Sequence, residues 1–381
     1  MSTACSSETT LIEVKAAFDG QRIVPGCVAL RDGRVVSTGI QPPGEHFLAA
    51  PGLIDLQVNG VAGVDFLAAS TADFATASQT LLAFGVTAFQ PTLISAPELQ
   101  LCRALETVGK AGPLAVGARI LPAHLEGPFL SPSWPGAHDA RYLCAPDHHL
   151  LDRLLSAGPV GYATIAPESP GGIELLVHLR ERRVTVAIGH SDATFDQANT
   201  AFDAGAHALT HAFNAHRPLT AREPGPAGAA LVRDDVFVTL IADGVHLADS
   251  VITLVDRSAC ERVILITDAN LAAALGDGTF EFGPLRVTVA NRRATLSDGR
   301  LAGSVAMLDA CLRRLVATGV PIERALRAVT ARPAELIGRD DLGHLRPGDR
   351  GDLVVLDERL VPVQTFLKGE LAWQAEVPSC E

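Results

Sequence analysis

TVAIGHSDATFDQANTAFDAGAHALTHAFNAH, residues 185–216, decides the reading of this chain. The apolar run from Val184 to Ile188 reads as a buried strand that stops at Gly189-His190. Ser191 then stands where a helix N-cap belongs. Phe195, Ala198 and Phe202 follow at helical spacing, and Gly205 marks the helix stop. A second short run, His207 to Thr210, ends at His211. Two histidines thus close two successive strands joined by one helix. In a parallel α/β sheet the carboxyl ends of the strands are where sites are built. A ligand or metal shared by His190 and His211 is the expectation, and the plain alternative is two unrelated loop histidines.

The same rhythm extends in both directions. Strands are predicted at Leu53–Val58, Val86–Gln90, Ile120–His124, Tyr162–Ile165, Val184–Ile188, Ala208–His211, Val236–Ala242 and Val263–Thr267. Helical patterns such as 74–84, 98–109 and 173–182 lie between them. Eight strands with intervening helices predict an α/β fold, a (β/α)8 TIM-like barrel over residues 51–344. A β-like excursion, Thr279 to Leu296, follows the eighth strand, then helices over 304–318 and 322–330. Before the barrel, 27–36 reads as a hairpin around Asp32-Gly33. Strand-like runs at 351–357 and 363–367 lie at the other end of the chain. A small β domain built from both chain ends, 1–50 plus 345–381, accounts for them.

Composition bounds the function. The chain has 381 residues, 48% of them hydrophobic, enough for a sizeable core. No run reaches the roughly 18 apolar residues of a membrane span. The first ten residues, MSTACSSETT, carry no secretory pattern. A net charge of −12, without a Lys/Arg run, argues against nucleic acid as partner. Cys5, Cys27, Cys102, Cys144, Cys260, Cys311 and Cys380 are scattered and odd in number, as reduced cysteines of a cytoplasmic protein would be.

Polar residues end the apolar runs at corresponding places: Asp55, Gln57 and Asn59; His124 and Glu126; His190; His211 and Asn214; Asp243 and His246; Asp268. A barrel rim would gather them into one pocket. Glu126, His190 and His211 form a carboxylate-and-two-imidazole set suited to a Zn- or Fe-type divalent ion. Such an ion activates water and polarises a carbonyl, and Asp268 could serve as general base. Each has a structural alternative: a capping or paired carboxylate for Glu126, a helix N-cap for Asp268. His124 faces the same side as Glu126 and reads more as a support behind the ligands than as one of them. His138 and His246 could donate to a substrate oxygen. Asn214 and Arg222 could bind a phosphate, weakly indicated for Arg222 alone. His148, His149, His178, His207 and His344 read as surface or packing residues.

PGLIDLQVNG (51–60), HLEGPF (124–129), GAH (136–138), APE (166–168), GHSDAT (189–194), THAFNA (210–215), REPG (222–225), ADGVH (242–246) and TDA (267–269) together resemble the N-acetylglucosamine-6-phosphate deacetylases of the amidohydrolase superfamily. The likeness runs in order along nearly the whole chain. GHLRPGDRGDLVVLD (343–357) is similar to the superfamily's closing segment into a small β-sandwich. The resemblance implies metal ligation by Glu126, His190 and His211, with Asp268 as catalytic base and acid. It implies substrate contacts at Ala137, His138, Asn214, Ala215, His246, Ala302, Gly303 and Ser304. It implies a phosphate-binding Arg222 reaching into a neighbouring subunit's site, hence a homodimer. Most of the superfamily carries His-x-His where this chain has Gln57-Val58-Asn59, so one divalent ion per subunit is expected, zinc foremost with iron, cobalt or manganese as alternatives. Position 216 holds His where the family pattern has Met.

The implied activity is hydrolysis of N-acetylglucosamine 6-phosphate to glucosamine 6-phosphate and acetate. One rival is another amidohydrolase reaction on a different N-acyl amino sugar, an N-acyl amino acid or a cyclic amide. Those enzymes usually keep His-x-His and often a bridging Lys on strand four, where this chain has Ala166-Pro167-Glu168. The other is a catalytically silent sugar-phosphate binder, which the intact metal and base positions argue against.

Overall fold

A computed structural model describes residues 9–282 and 285–376. Cys5, Cys380 and the first eight residues, on which part of the compartment reading rests, lie outside them. Among the described residues no helix is long and apolar enough to cross a membrane.

Eight parallel strands form a nearly closed barrel: Leu53–Val58, Val86–Ile94, an interrupted third strand, Val160–Ile165, Thr185–Ile188, Ala208–Leu209, Phe237–Leu240 and Val263–Leu265. The third strand is split into Arg119–Ile120 and Ala123–Glu126 at Leu121-Pro122, where proline has no N–H to give the ladder. Closure runs through backbone bonds beyond the eighth strand. Asp268 N donates to Gln57 O at 2.9 Å and Asn59 N to Ala269 O at 2.7 Å. The sixth strand is shorter than predicted, because His211 has φ +31 and has left the β region.

Helix Phe195–Asp203 joins the fifth and sixth strands, as its apolar spacing requires. Its N-cap is Thr194, not Ser191. Thr194 and Gln197 close a reciprocal capping box, which occupies the first-turn donors three residues later than predicted. The Ser191 hydroxyl instead donates to Glu168 Oε2 at 2.7 Å, tying the turn after strand five to the end of strand four. Gly205, at φ +102, follows the helix in a conformation that suits glycine.

The barrel's lower end is apolar. Ala88, Tyr162, Ala187, Ala208 and Ile264, from five of the eight strands, pack with Ala334, Leu336 and Leu342. Thr185, at the start of strand five, donates to Leu336 O at 3.5 Å, so the segment after helix Ala331–Leu336 plugs the strands' N-terminal ends.

Both chain ends meet in one six-stranded sheet. Its order is Glu370–Gln374, Pro362–Leu367, Leu353–Leu356, His46–Pro51, Val14–Phe18 and Ile23–Pro25. Leu353 pairs with Pro51 and Leu356 with Leu48, antiparallel. A three-stranded sheet of Thr10–Ile12, Cys27–Arg31 and Arg34–Ile40 packs on it through Val28, Leu30, Ala49 and Val355. Its hairpin turns at Asp32 and Gly33, both at positive φ. After the eighth barrel strand comes a small antiparallel sheet, Gly278–Phe282, Leu285–Ala290 and Arg293–Thr295.

Candidate active site

The polar residues that end the barrel strands converge at the C-terminal rim. Glu126, His190, His211, His138 and Asn59 are all buried there. His190, His211 and Asp268 have φ values of +48, +31 and +50. Such left-handed geometry is uncommon for non-glycine residues and persists where surrounding contacts over-determine it. At the rim it turns three side chains from the ends of strands five, six and eight toward one point.

Ring-nitrogen partners decide what each histidine can do. His190 Nδ1 lies 3.0 Å from Trp134 O, and His211 Nδ1 lies 3.1 Å from Asn214 O. A carbonyl only accepts, so both Nδ1 atoms carry hydrogen and both Nε2 atoms present lone pairs. Those two Nε2 atoms are 3.1 Å apart. They lie 3.3 and 3.0 Å from the same Glu126 Oε1. Three lone-pair donors aimed at one another need a cation between them, and the set fits a divalent ion of the zinc type.

Glu126, His138 and His190 also bring candidate ligand atoms within 4.8 Å of one another. His138 differs in its hydrogen, however. Its Nδ1 accepts the backbone N–H of Ser95 at 3.2 Å, so its Nε2 carries the proton. That Nε2–H faces the cluster as a donor, 3.8 Å from Glu126 Oε2. Burial works against charge on Glu126, yet the imidazoles of His138, His190 and His211 hold its carboxyl well below the usual range. Burial lowers His190, whereas His211 is raised against burial by the neighbouring Glu126 carboxylate.

Asp268 stands beside the cluster. Gln57 Nε2 donates to Asp268 Oδ1 at 3.0 Å and to Glu126 Oε1 at 2.9 Å. Asn59 Nδ2 donates to the same Asp268 Oδ1 at 2.7 Å. The two amides therefore occupy Oδ1, and Gln57 bridges the two carboxylates with a neutral donor. Burial first, then the charge on Glu126, pushes Asp268 up to about 6. Beneath it Asp55 accepts from Thr267 Oγ1 at 2.6 Å and from Thr267 N at 3.2 Å, and burial pushes it up to about 7.

A cavity of about 400 Å³ opens above these groups. It is lined by Asn59, Glu126, His138, His190, His211, Asp268 and His246, with Ala137, Asn214, Ala215, Ala302 and Gly303. Its size suits a small organic ligand. His246 Nδ1 bonds to Asp243 Oδ2 at 2.8 Å. Burial opposes ionisation of Asp243, but hydrogen bonds from His246 and from backbone N–H groups hold it below the usual range. The ionised carboxylate takes the Nδ1 hydrogen and leaves the opposite edge of the ring free.

The remaining candidates lie off the cavity wall. Ser304 N donates to Asp268 O at 2.8 Å and so supports Asp268 from behind. His124 is sealed below the cluster between Thr92 Oγ1 at 3.1 Å and Thr164 Oγ1 at 2.8 Å, and burial pushes it down to about 4. His216 donates through Nε2 to Thr210 O at 2.8 Å, and burial pushes it down to about 3. Arg222 is exposed and does not line the cavity of its own chain.

Three contributors escape the sequence reading. Trp134 lines the cavity, supplies the carbonyl that orients His190 and bonds Asp192 Oδ1 through Nε1 at 2.8 Å. It is one of only two tryptophans, a usable signal in the loop before His138. Ser95 fixes the tautomer of His138 through a backbone N–H, for which no sequence signal exists. Arg300 lines the mouth from the short stretch between the β excursion that ends at Leu296 and the helix predicted from 304.

The amidohydrolase family profile matches residues 48–372. The chain belongs to the amidohydrolase family. This amidohydrolase is 37% identical to the N-acetylglucosamine-6-phosphate deacetylase of Rattus norvegicus, over 86% of this chain and 84% of the relative. It is 35% identical to an N-acetylgalactosamine-6-phosphate deacetylase of Escherichia coli O157:H7, over 85% and 88%. In three dimensions it resembles a mutant N-acetyl-D-glucosamine-6-phosphate deacetylase from Mycobacterium smegmatis in complex with N-acetyl-D-glucosamine 6-phosphate. The TM-score is 0.90 and the identity 33%, covering 96% of this chain and 99% of that one.

Proposed function

We propose that this enzyme hydrolyses the N-acetyl group of N-acetyl-D-glucosamine 6-phosphate, releasing D-glucosamine 6-phosphate and acetate. The observation that carries the reading is the convergence of His190 Nε2, His211 Nε2 and Glu126 Oε1 beside an Asp268 whose Oδ1 is held by two amides. Relatives named for this reaction support the choice of substrate.

Glu126, His190 and His211 are the residues that would hold one divalent ion, zinc foremost, with iron, cobalt or manganese as alternatives. When bound, the ion supplies Lewis acidity to the amide and lowers the pKa of water at the site. The protein's own groups carry the proton steps. Gln57 and Asn59 tie up Asp268 Oδ1, so Oδ2 takes the proton of the attacking water. The same oxygen returns it to the nitrogen as the C–N bond breaks, so the amine leaves neutral. His138, with hydrogen on Nε2, donates to the developing oxyanion. His246, its Nδ1 committed to Asp243, offers its free edge to a sugar hydroxyl.

Ala137, Asn214, Ala215, Ala302 and Gly303 shape the sugar site, and Ser304 holds Asp268 from behind. The enzyme acts as a cytoplasmic homodimer in which Arg222 reaches the partner's phosphate. Residues 51–344 carry the chemistry, and the small β domain from both chain ends closes the barrel's side. The test is acetate release from N-acetylglucosamine 6-phosphate, with bound metal counted on the same sample. Release with about one ion per subunit is the expected outcome, and metal-loaded enzyme without release would overturn the reading. The Escherichia coli relative favours a second reading, the galacto epimer as substrate. A higher kcat/KM for N-acetylgalactosamine 6-phosphate would select it.

A further inference from the structure

The segment between the eighth strand and helix Leu308–Ala317 forms the small three-stranded sheet and then returns along the cavity as Arg300, Leu301, Ala302 and Gly303. Its apolar face, including Val287, Val289, Leu296 and Ala302, is packed against Leu271 and Ala272, so it is fixed to the barrel rim. Leu296 N donates to Arg300 O at 2.9 Å, which anchors the backbone at Arg300.

Arg300 is the one guanidinium among the described residues lining the cavity. The floor below it carries two carboxylates, Glu126 and Asp268. The Arg300 side chain is 46% exposed, at the mouth and not in the depths. Its Nε donates to Asp298 Oδ2 at 2.8 Å, its Nη2 lies 2.7 Å from the same oxygen, and its Nη1 donates to Gly136 O across the mouth. A guanidinium has five N–H donors, so these contacts leave one N–H on each terminal nitrogen uncommitted. Gly136 belongs to the loop that seats His190: a Cβ there would lie 2.7 Å from His190 Cε1. Arg300 thus stands over the cluster, held from both walls, with donors to spare.

We propose that Arg300 receives the phosphate of the sugar substrate at the mouth of its own chain's site. The proposal rests on the deacetylase reading. With the acetamido group at the cluster on the floor, the C6 phosphate lies on the far side of the pyranose ring and must point outward. A phosphate dianion entering a protein of net charge −12 is favoured by a fixed guanidinium at the mouth. A guanidinium pre-oriented by a neighbouring carboxylate and a carbonyl meets it as a planar fork. Arg300 would then set specificity for phosphorylated over free amino sugar, in addition to Arg222 from the partner subunit.

The test uses metal-loaded Arg300→Met and Arg300→Lys, substitutions at a half-exposed side chain. Two measurements run in parallel: steady-state kinetics on N-acetylglucosamine 6-phosphate and on N-acetylglucosamine, and calorimetric titration with glucosamine 6-phosphate. For Arg300→Met the expected outcome is a KM for the phosphorylated substrate raised about 10- to 100-fold, with kcat nearly held. The free sugar should lose far less, and Arg300→Lys should fall between. Equal losses on both sugars would overturn the proposal and leave Arg300 as a brace on the Gly136 loop. If the wild type releases no acetate, the deacetylase reading fails and the calorimetry alone judges Arg300. Unchanged affinity of Arg300→Met for glucosamine 6-phosphate, or no binding by the wild type, overturns it there.

Discussion

The two ends of the barrel are built on opposite terms. At the lower end Ala334, Leu336 and Leu342 fill the space between strands with apolar side chains. At the upper rim buried carboxylates and imidazoles face one another, and His190, His211 and Asp268 hold left-handed backbone. The lower end gains from every contact it makes. The rim holds lone pairs together that repel until a cation sits among them, and it persists because the rest of the barrel fixes it. Function is placed where the fold is least at ease, and stability where nothing chemical happens.

The sharpest way to break this contrast is Asp268→Asn. It should cost about 10²- to 10⁴-fold in kcat while the melting temperature holds or rises, since a buried carboxylate is removed. Retained turnover in metal-loaded Asp268→Asn would remove Asp268 from the proton path. Next in size is the ion itself. Dialysis against a chelator should lower stability by about 3 to 4 kcal/mol relative to free metal at 100 to 1,000 times Kd, read by denaturant melts. The shift should vanish in His211→Ala, and a shift that survives there would place the ion elsewhere.

The lower end gives the converse result. Leu336→Ala should cost about 2 to 3 kcal/mol of unfolding free energy yet leave kcat of the folded fraction unchanged. A fall in kcat with full folding would mean the plug is coupled to the rim. The smallest effect concerns Asp55, which sits between the two ends. Its folded pKa of about 7 lies above the 3.8 of an ordinary aspartate, so the native state holds a proton that the unfolded chain has lost. Stability from this group is full below about pH 4 and declines as pH rises toward and through about 7. Asp55→Asn should flatten that part of the stability profile, with a gain on the order of 1–2 kcal/mol at pH 8. Parallel profiles for the two proteins would show that Asp55 stays ionised.

Most of the rim could be read from the chain because each functional side chain ends an apolar run. Glu126, His190, His211 and Asp268 each stand at or just past the end of a predicted strand, and a parallel barrel sends all such ends to one face. The helix start at Thr194 was less legible, since Ser191 and Thr194 both carry capping hydroxyls. What separated them was Glu168, a partner 23 residues away that claims Ser191.

The sequence by itself determined the periodicity, the strand ends and hence the roster of polar groups at the rim, because these follow from local spacing of apolar and polar side chains. Only the tertiary structure decided which histidine nitrogens carry hydrogen. Trp134 O, Asn214 O and Ser95 N make His190 and His211 electron-pair donors and His138 a proton donor. It likewise decided that Arg300 hangs over the cavity, that Gln57 bridges two carboxylates and that Asn59 holds one of them. The physical reason is range: burial pattern is a property of neighbours along the chain, whereas protonation, tautomer and charge pairing are set by atoms that only folding brings within about 3 Å.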